Sequence, residues 1–142
     1  EEMLRLMEID HLRKANPYDL SGGEQQRLAL AKVMVSNPDI LLLDEPTKGL
    51  DPFFKQTLGR ILRSLCKENK TIFMVSHDIE FCAEFGDRCS MFFDGEIATS
   101  GSSKEFFSGN NFYTTVENKL TRKWCEGIIT GEEARSWIRS LL

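Results

Sequence analysis

Two adjacent carboxylates, Asp44 and Glu45, close a run of four aliphatic residues, Ile40 to Leu43, and Pro46 follows at once. A carboxylate at the end of a buried strand can hold Mg²⁺, directly or through water, beside bound phosphates. A second carboxylate one residue on can orient and deprotonate an attacking water. The same dipeptide also suits a helix cap or a solvated turn, and taken alone it does not choose. His77 follows a second apolar run, Lys70 to Val75. An imidazole there can donate a hydrogen bond to a terminal phosphate oxygen, although a lone histidine is more often structural. A third feature is Leu20-Ser21-Gly22-Gly23-Glu24-Gln25. Its glycines let backbone approach a ligand closely, and helix-terminal N–H groups favour an anion. An ordinary glycine-rich cap has the same composition.

These residues need elements to position them. Residues 2–9 carry the pattern of the end of an amphipathic helix. Pro17 then forces a loop and biases Asn16 toward extended geometry. Ser21 and Glu24 have capping-box spacing, which predicts a helix over about 22–35, stopped by Asn37-Pro38. The uninterrupted run Ile40–Leu43 predicts a parallel strand buried on both faces, each side chain contributing roughly 1.5–3 kcal/mol before entropy. A helix over about 53–67, a buried strand over 70–75 and a helix over 78–85 follow. Strands over 88–93 and 96–98 form a hairpin about Asp94-Gly95, a type I′ turn signal. Short helices are expected over 104–107, 115–124 and 131–141. Strands alternating with helices define an α/β fold with a mostly parallel sheet, whose functional residues gather at the carboxyl ends of its strands.

The bulk properties exclude other classes. The chain has 142 residues, room for one core, and its net charge of −4 comes with scattered basic residues rather than a nucleic-acid-binding stripe. Cys66, Cys82, Cys89 and Cys125 show no CxxC pairing, and neither His11 nor His77 stands at metal-site spacing from them. Four reduced thiols are expected. No segment has the apolar length to cross a bilayer and no cleavable signal peptide is evident, so membrane association would come through a partner.

In order, Leu20–Gln25, Ile40–Pro46, Gly49-Leu50-Asp51-Pro52 and Val75–Asp78 resemble the ABC ATPase family. They are similar to its LSGGQ-type signature, Walker B with the catalytic glutamate, D-loop and H-loop. The resemblance runs almost continuously over residues 16–98. It implies Mg²⁺ support by Asp44, a catalytic base in Glu45, and a γ-phosphate contact from His77. It implies that Asp51 crosses a dimer interface. It further implies that Ser21, Gly22 and Gly23 bind the γ-phosphate of ATP held by a second cassette, with Glu24 where many members carry glutamine. The implied assembly is a head-to-tail pair of cassettes on transmembrane transporter subunits, at the cytoplasmic face of the cell membrane, with ATP and Mg²⁺ as cofactors and no nucleic acid.

The family's Walker A motif, G-x-x-x-x-G-K-[ST], does not occur in the sequence. The resemblance therefore implies the C-terminal part of a P-loop NTPase (ABC ATPase) fold over residues 1–100. Residues 101–142 would form a small C-terminal helical extension. Such a chain is expected to bind ATP poorly alone and to leave an apolar sheet edge open. Pro46 to Asp51 and the tail from Gly101 to Lys119, including Asn111-Phe112-Tyr113-Thr114-Thr115, are similar to energy-coupling-factor importers of vitamins and metal ions. Two other readings compete. One is a non-catalytic module completing a partner's ATP site, against which the intact Glu45 and His77 count. The other is a soluble ABC ATPase acting on nucleic acid or ribosomes, against which the lack of a basic patch counts.

Overall fold

A computed structural model describes residues 1–110 and 113–141, and the chain divides into two compact units between His77 and Asp78. The boundary expected at 100/101 falls inside a strand of the second unit.

In the first unit, α1 (Glu2–Leu6) is shorter than the expected 2–9. The chain turns out of it at Glu8, which adopts a positive φ of 58°. Two 3-10 turns follow, at Asp10–Leu12 and at Pro17–Asp19, the second capped by the Asn16 side chain and leading to α2 (Gly22–Val35). Helix α2 starts on a complete capping box. The Ser21 hydroxyl accepts from the Glu24 N–H, and the Glu24 carboxylate accepts from the Ser21 N–H. Strand β1 (Ile40–Asp44) follows, then α3 (Pro52–Lys67), whose first turn is capped by Asp51 accepting from the Phe54 N–H. Strand β2 (Thr71–Val75) begins one residue later than expected. Lys70 instead turns its ammonium to Asp39, at 3.0 Å.

Strands β1 and β2 pair in parallel, with Leu42 opposite Phe73 and Asp44 opposite Val75. Leu41 and Leu43 are buried, in a unit whose core includes Met7, Leu30, Phe54 and Leu58. The other face departs from the expected two-sided burial. Leu42 is 76% exposed and Phe73 61%, with Ile40 and Val75 beside them. Side chains alternate across a strand, and no described element of this unit covers that second face. Half of the apolar run therefore contributes burial energy and half does not.

The second unit opens with α4 (Ile79–Phe85), capped by Asp78, followed by β3 (Arg88–Phe93) and β4 (Glu96–Ser102). Asp94 and Gly95 both have positive φ, 50° and 83°, as a two-residue primed turn requires, and the hairpin is antiparallel. Among the described residues, the sheet expected to be mostly parallel is thus one parallel pair and one antiparallel pair. Helices α5 (Ser103–Gly109), α6 (Val116–Thr121) and α7 (Gly131–Ser140) follow. Phe107, Ala83 and Ile129 form the core here, with Cys82 and Cys89 packed on it. Burial pushes the Cys89 thiol pKa up, against a hydrogen bond with Ser103 that lowers it. Helix α6 stops short of Trp124, and the Thr121 hydroxyl donates back to the Glu117 carbonyl at 2.8 Å. Asn111 and Phe112, part of the expected tail pattern, and Leu142, the end of the expected extension, lie outside the described residues.

Candidate functional site

Parallel pairing puts the carboxyl ends of β1 and β2 side by side, so Glu45 and His77 become neighbours across 32 positions of sequence. The Glu45 N–H donates to the Val75 carbonyl at 2.8 Å, extending the ladder by one bond. Glu45 then leaves the sheet through a positive φ of 46°. A bulky residue seldom adopts this conformation, and such strain gathers at functional sites. Its Oε2 accepts from the His77 backbone N–H at 3.3 Å. Its Oε1 lies 3.6 Å from His77 Nε2 and is sheltered from solvent without a hydrogen-bond partner. The carboxylate is 29% exposed and the imidazole 97%, so the histidine is open to a ligand while the acid is drawn in. Asp44 ends β1 with an exposed side chain.

Ser21, Gly23, Glu24 and Asp51 converge on a second place in the same unit, around a cavity of about 390 Å³ that Arg27 also lines. The close approach there is backbone on backbone: a Cβ on Gly23 would lie 2.7 Å from the Gly49 carbonyl oxygen. Gly49 itself has a φ of +74°, which favours glycine. Gly22, one residue earlier, faces open space. Helix α2 thus presents an exposed Ser21-Gly22 at its amino end while Gly23 docks on the turn before Asp51. The Glu24 carboxyl is held below its ordinary pKa, first by the Ser21 hydroxyl and then by the Ser21 N–H. Asp51 is likewise held low, chiefly by the Phe54 N–H, with Arg27 adding to it.

Two residues to which the motif reading gives no role of their own tie these places together. The Arg27 guanidinium pairs with Asp51 at 2.5 Å and lies 3.8 Å over the Phe54 ring centroid. The Gln26 side-chain amide donates to the carbonyls of Glu45 at 3.4 Å and Pro46 at 3.3 Å. No local signal gives either residue its role, because their partners lie 19 to 24 positions away. Among the described residues, no group of three or more His, Cys, Asp or Glu could hold a metal by itself. The exposed carboxylate of Asp44 at the end of β1 would suit a Mg²⁺ ion that keeps waters and takes further oxygens from a phosphate.

A paired set of parallel strand ends bearing Asp44, Glu45 and His77, beside a glycine-led helix start docked on the Gly49–Asp51 turn, is the arrangement of part of an ATP-binding cassette. The chain is a homologue of the ATP-binding proteins of ABC transporters and spans part of one cassette. The profile of the family described as ABC transporter matches residues 1–48. A putative ABC transporter ATP-binding protein of Bacillus cereus is 49% identical over 94% of this chain, which spans 24% of that relative. The energy-coupling factor transporter ATP-binding protein EcfA2 of Mesomycoplasma hyopneumoniae is 37% identical over 84% of this chain, which spans 39% of it. In three dimensions the chain is similar to the dimeric ATP-binding cassette MJ0796 in its post-hydrolysis state bound to ADP and Pi. That likeness has a TM-score of 0.68 at 34% identity and covers 72% of this chain and 44% of that one.

Proposed function

We propose that this chain is part of an ATP-hydrolysing nucleotide-binding subunit that powers transport across a membrane, of the energy-coupling-factor kind that imports vitamins or metal ions. The observation that carries the proposal is the Glu45 carboxylate. It is held by the His77 N–H through one oxygen and leaves the other sheltered and unpartnered, as a base aimed at a water needs. In this reading Asp44 supports Mg²⁺, whose bound charge would offset that developing on the phosphates. Glu45 takes the proton of the attacking water, and the exposed His77 contacts the terminal phosphate. Ser21, Gly22 and Gly23 present backbone and hydroxyl donors to ATP held by a second cassette, with Glu24 fixing the start of that helix. Asp51 faces the partner across the interface.

The assembly is a head-to-tail dimer on transmembrane subunits, peripheral at the cytoplasmic membrane face. No helix among the described residues is long and apolar enough to cross a membrane. The dimeric state of MJ0796 and the identity to EcfA2 support this assembly. Residues 1–100 serve as the cassette portion and 101–142 as a C-terminal helical extension. The 142-residue chain, without a Walker A sequence, binds Mg·ATP weakly and does not turn it over. The deciding experiment is Glu45→Gln in the complete cassette. Turnover is expected to fall at least about a hundredfold while ATP still binds, a loss of the size that general-base removal produces. Retained turnover would overturn the assignment of Glu45.

A further inference from the structure

Gln26 does not belong to the LSGGQ-like residues, makes no contact with the cavity beside them, and would have no role if α2 only displayed Ser21 and the glycines. It is part-buried, and its amide group is shared between two consecutive carbonyls, those of Glu45 at 3.4 Å and Pro46 at 3.3 Å. Both belong to the segment that leaves β1 under strain. Glu45 has a φ of +46°, and its carbonyl also accepts the Lys48 N–H at 3.1 Å. Pro46 is fully buried. The Glu45 carboxylate keeps its two approaches to His77 only while this backbone conformation persists. Surrounding bonds must hold it, because an isolated chain would relax it.

We infer that Gln26 is a positioning residue for Glu45, fixing from helix α2 the strained backbone that aims the carboxylate. The inference rests on the ATPase reading above. The placement gives it functional weight. The capping box of Ser21 and Glu24 fixes the first turn of α2, and the next turn carries Gln26 and Arg27. Arg27 grips the far end of the same loop at Asp51. One rigid helix therefore holds both ends of residues 45–51 while its amino end faces outward. A ligand that pulls on Ser21 or Gly22 would move the loop that carries the chain's own Glu45.

The test uses the complete cassette with three substitutions. Gln26→Leu puts a branched apolar group in place of the amide and has no donor, Gln26→Asn falls a methylene short, and Gln26→Lys restores a donor. Leucine and asparagine are each expected to lower kcat about tenfold or more with KM for Mg·ATP within about twofold, since misaiming by about an ångström costs rate rather than binding. Lysine is expected to recover most of the loss. Hydrogen exchange on the 142-residue chain gives a readout independent of turnover. In Gln26→Leu the amides of Lys48 and Leu50, which bond to Glu45 and Thr47, should exchange faster while that of Phe73 in β2 stays unchanged. Unchanged kcat in the two donor-poor variants overturns the inference, as does a KM that rises in proportion, or unaltered exchange at Lys48 and Leu50. Should Glu45→Gln still turn over, the ATPase reading falls, and the exchange result still decides whether Gln26 holds the loop.

Discussion

Gly22 and Gly23 are chemically identical neighbours, and the structure gives them opposite tolerances. A methyl group on Gly22 meets nothing within 4 Å, whereas one on Gly23 would sit 2.7 Å from the backbone oxygen of Gly49. Gly22→Ala should therefore leave urea stability unchanged or raised by about 0.5 kcal/mol, because alanine narrows the unfolded ensemble. Gly23→Ala should cost about 1–3 kcal/mol, because backbone must retreat on one side or the other. Equal midpoints for the two would refute the docked-backbone picture. The titration of Glu24 is a second property of individual residues. Its folded pKa is depressed mainly by the Ser21 hydroxyl, so the stabilisation is present above the unfolded value and lost as pH falls through the folded one. Asp51 carries the same sign. Thermal midpoints should stay level from neutrality down to about pH 5 and decline below about pH 4, where ordinary carboxylates protonate. Ser21→Ala should raise the Glu24 titration midpoint measured by NMR, and an unmoved midpoint would remove Ser21 as its cause. The sequence made Asp44, Glu45, His77 and the glycines visible because strand ends and helix starts announce themselves in residue type. It assigned Gln26 and Arg27 no role, because their importance comes from partners brought close by folding.

Element boundaries were legible where a capping side chain stands, and less so elsewhere. Helices α2 and α3 begin where Ser21 and Asp51 accept from N–H groups three residues on, a spacing readable in the chain. The Asp94-Gly95 turn was equally legible. The end of α6 was not, since the apolar pattern runs on to Trp124 while the backbone stops at Thr121. The two-sided burial of β1 was misjudged for a different reason. A continuous apolar run predicts cover on both faces, and among the described residues of this unit only one face is buried. Helix α6 offers a measurable case of capping. Thr115 is fully buried, and its hydroxyl accepts from the Asn118 N–H at 3.2 Å. Thr115→Val keeps the shape and removes the acceptor, and should cost about 1–2 kcal/mol in denaturant unfolding. A loss below a few tenths would mean that the cap adds nothing to α6.

At the scale of the whole chain, the consequential feature is the uncovered face of the β1–β2 pair. Leu42 and Phe73 are register partners, 76% and 61% exposed, with Ile40 and Val75 flanking them. Burying side chains of this size releases roughly 1.5–3 kcal/mol each, so the face lowers the free energy of any contact that covers it. The strands also have unpaired backbone edges among the described residues, and edges of that kind add strands from other copies. The 142-residue chain should therefore associate with itself as its concentration rises, by a route separate from the head-to-tail pairing proposed for complete cassettes. Replacing Leu42 by Lys and Phe73 by Glu should abolish this association. The pair would remain matched across the strands and the buried Leu41 and Leu43 untouched. Light scattering of both proteins over a concentration series distinguishes the outcomes. A wild-type chain that stays monomeric and folded would show that the apolar face carries no association energy. Association that persists in the double variant would locate the contact elsewhere, with the exposed Phe92, Phe93 and Ile97 of the β3–β4 hairpin as the next surface to alter.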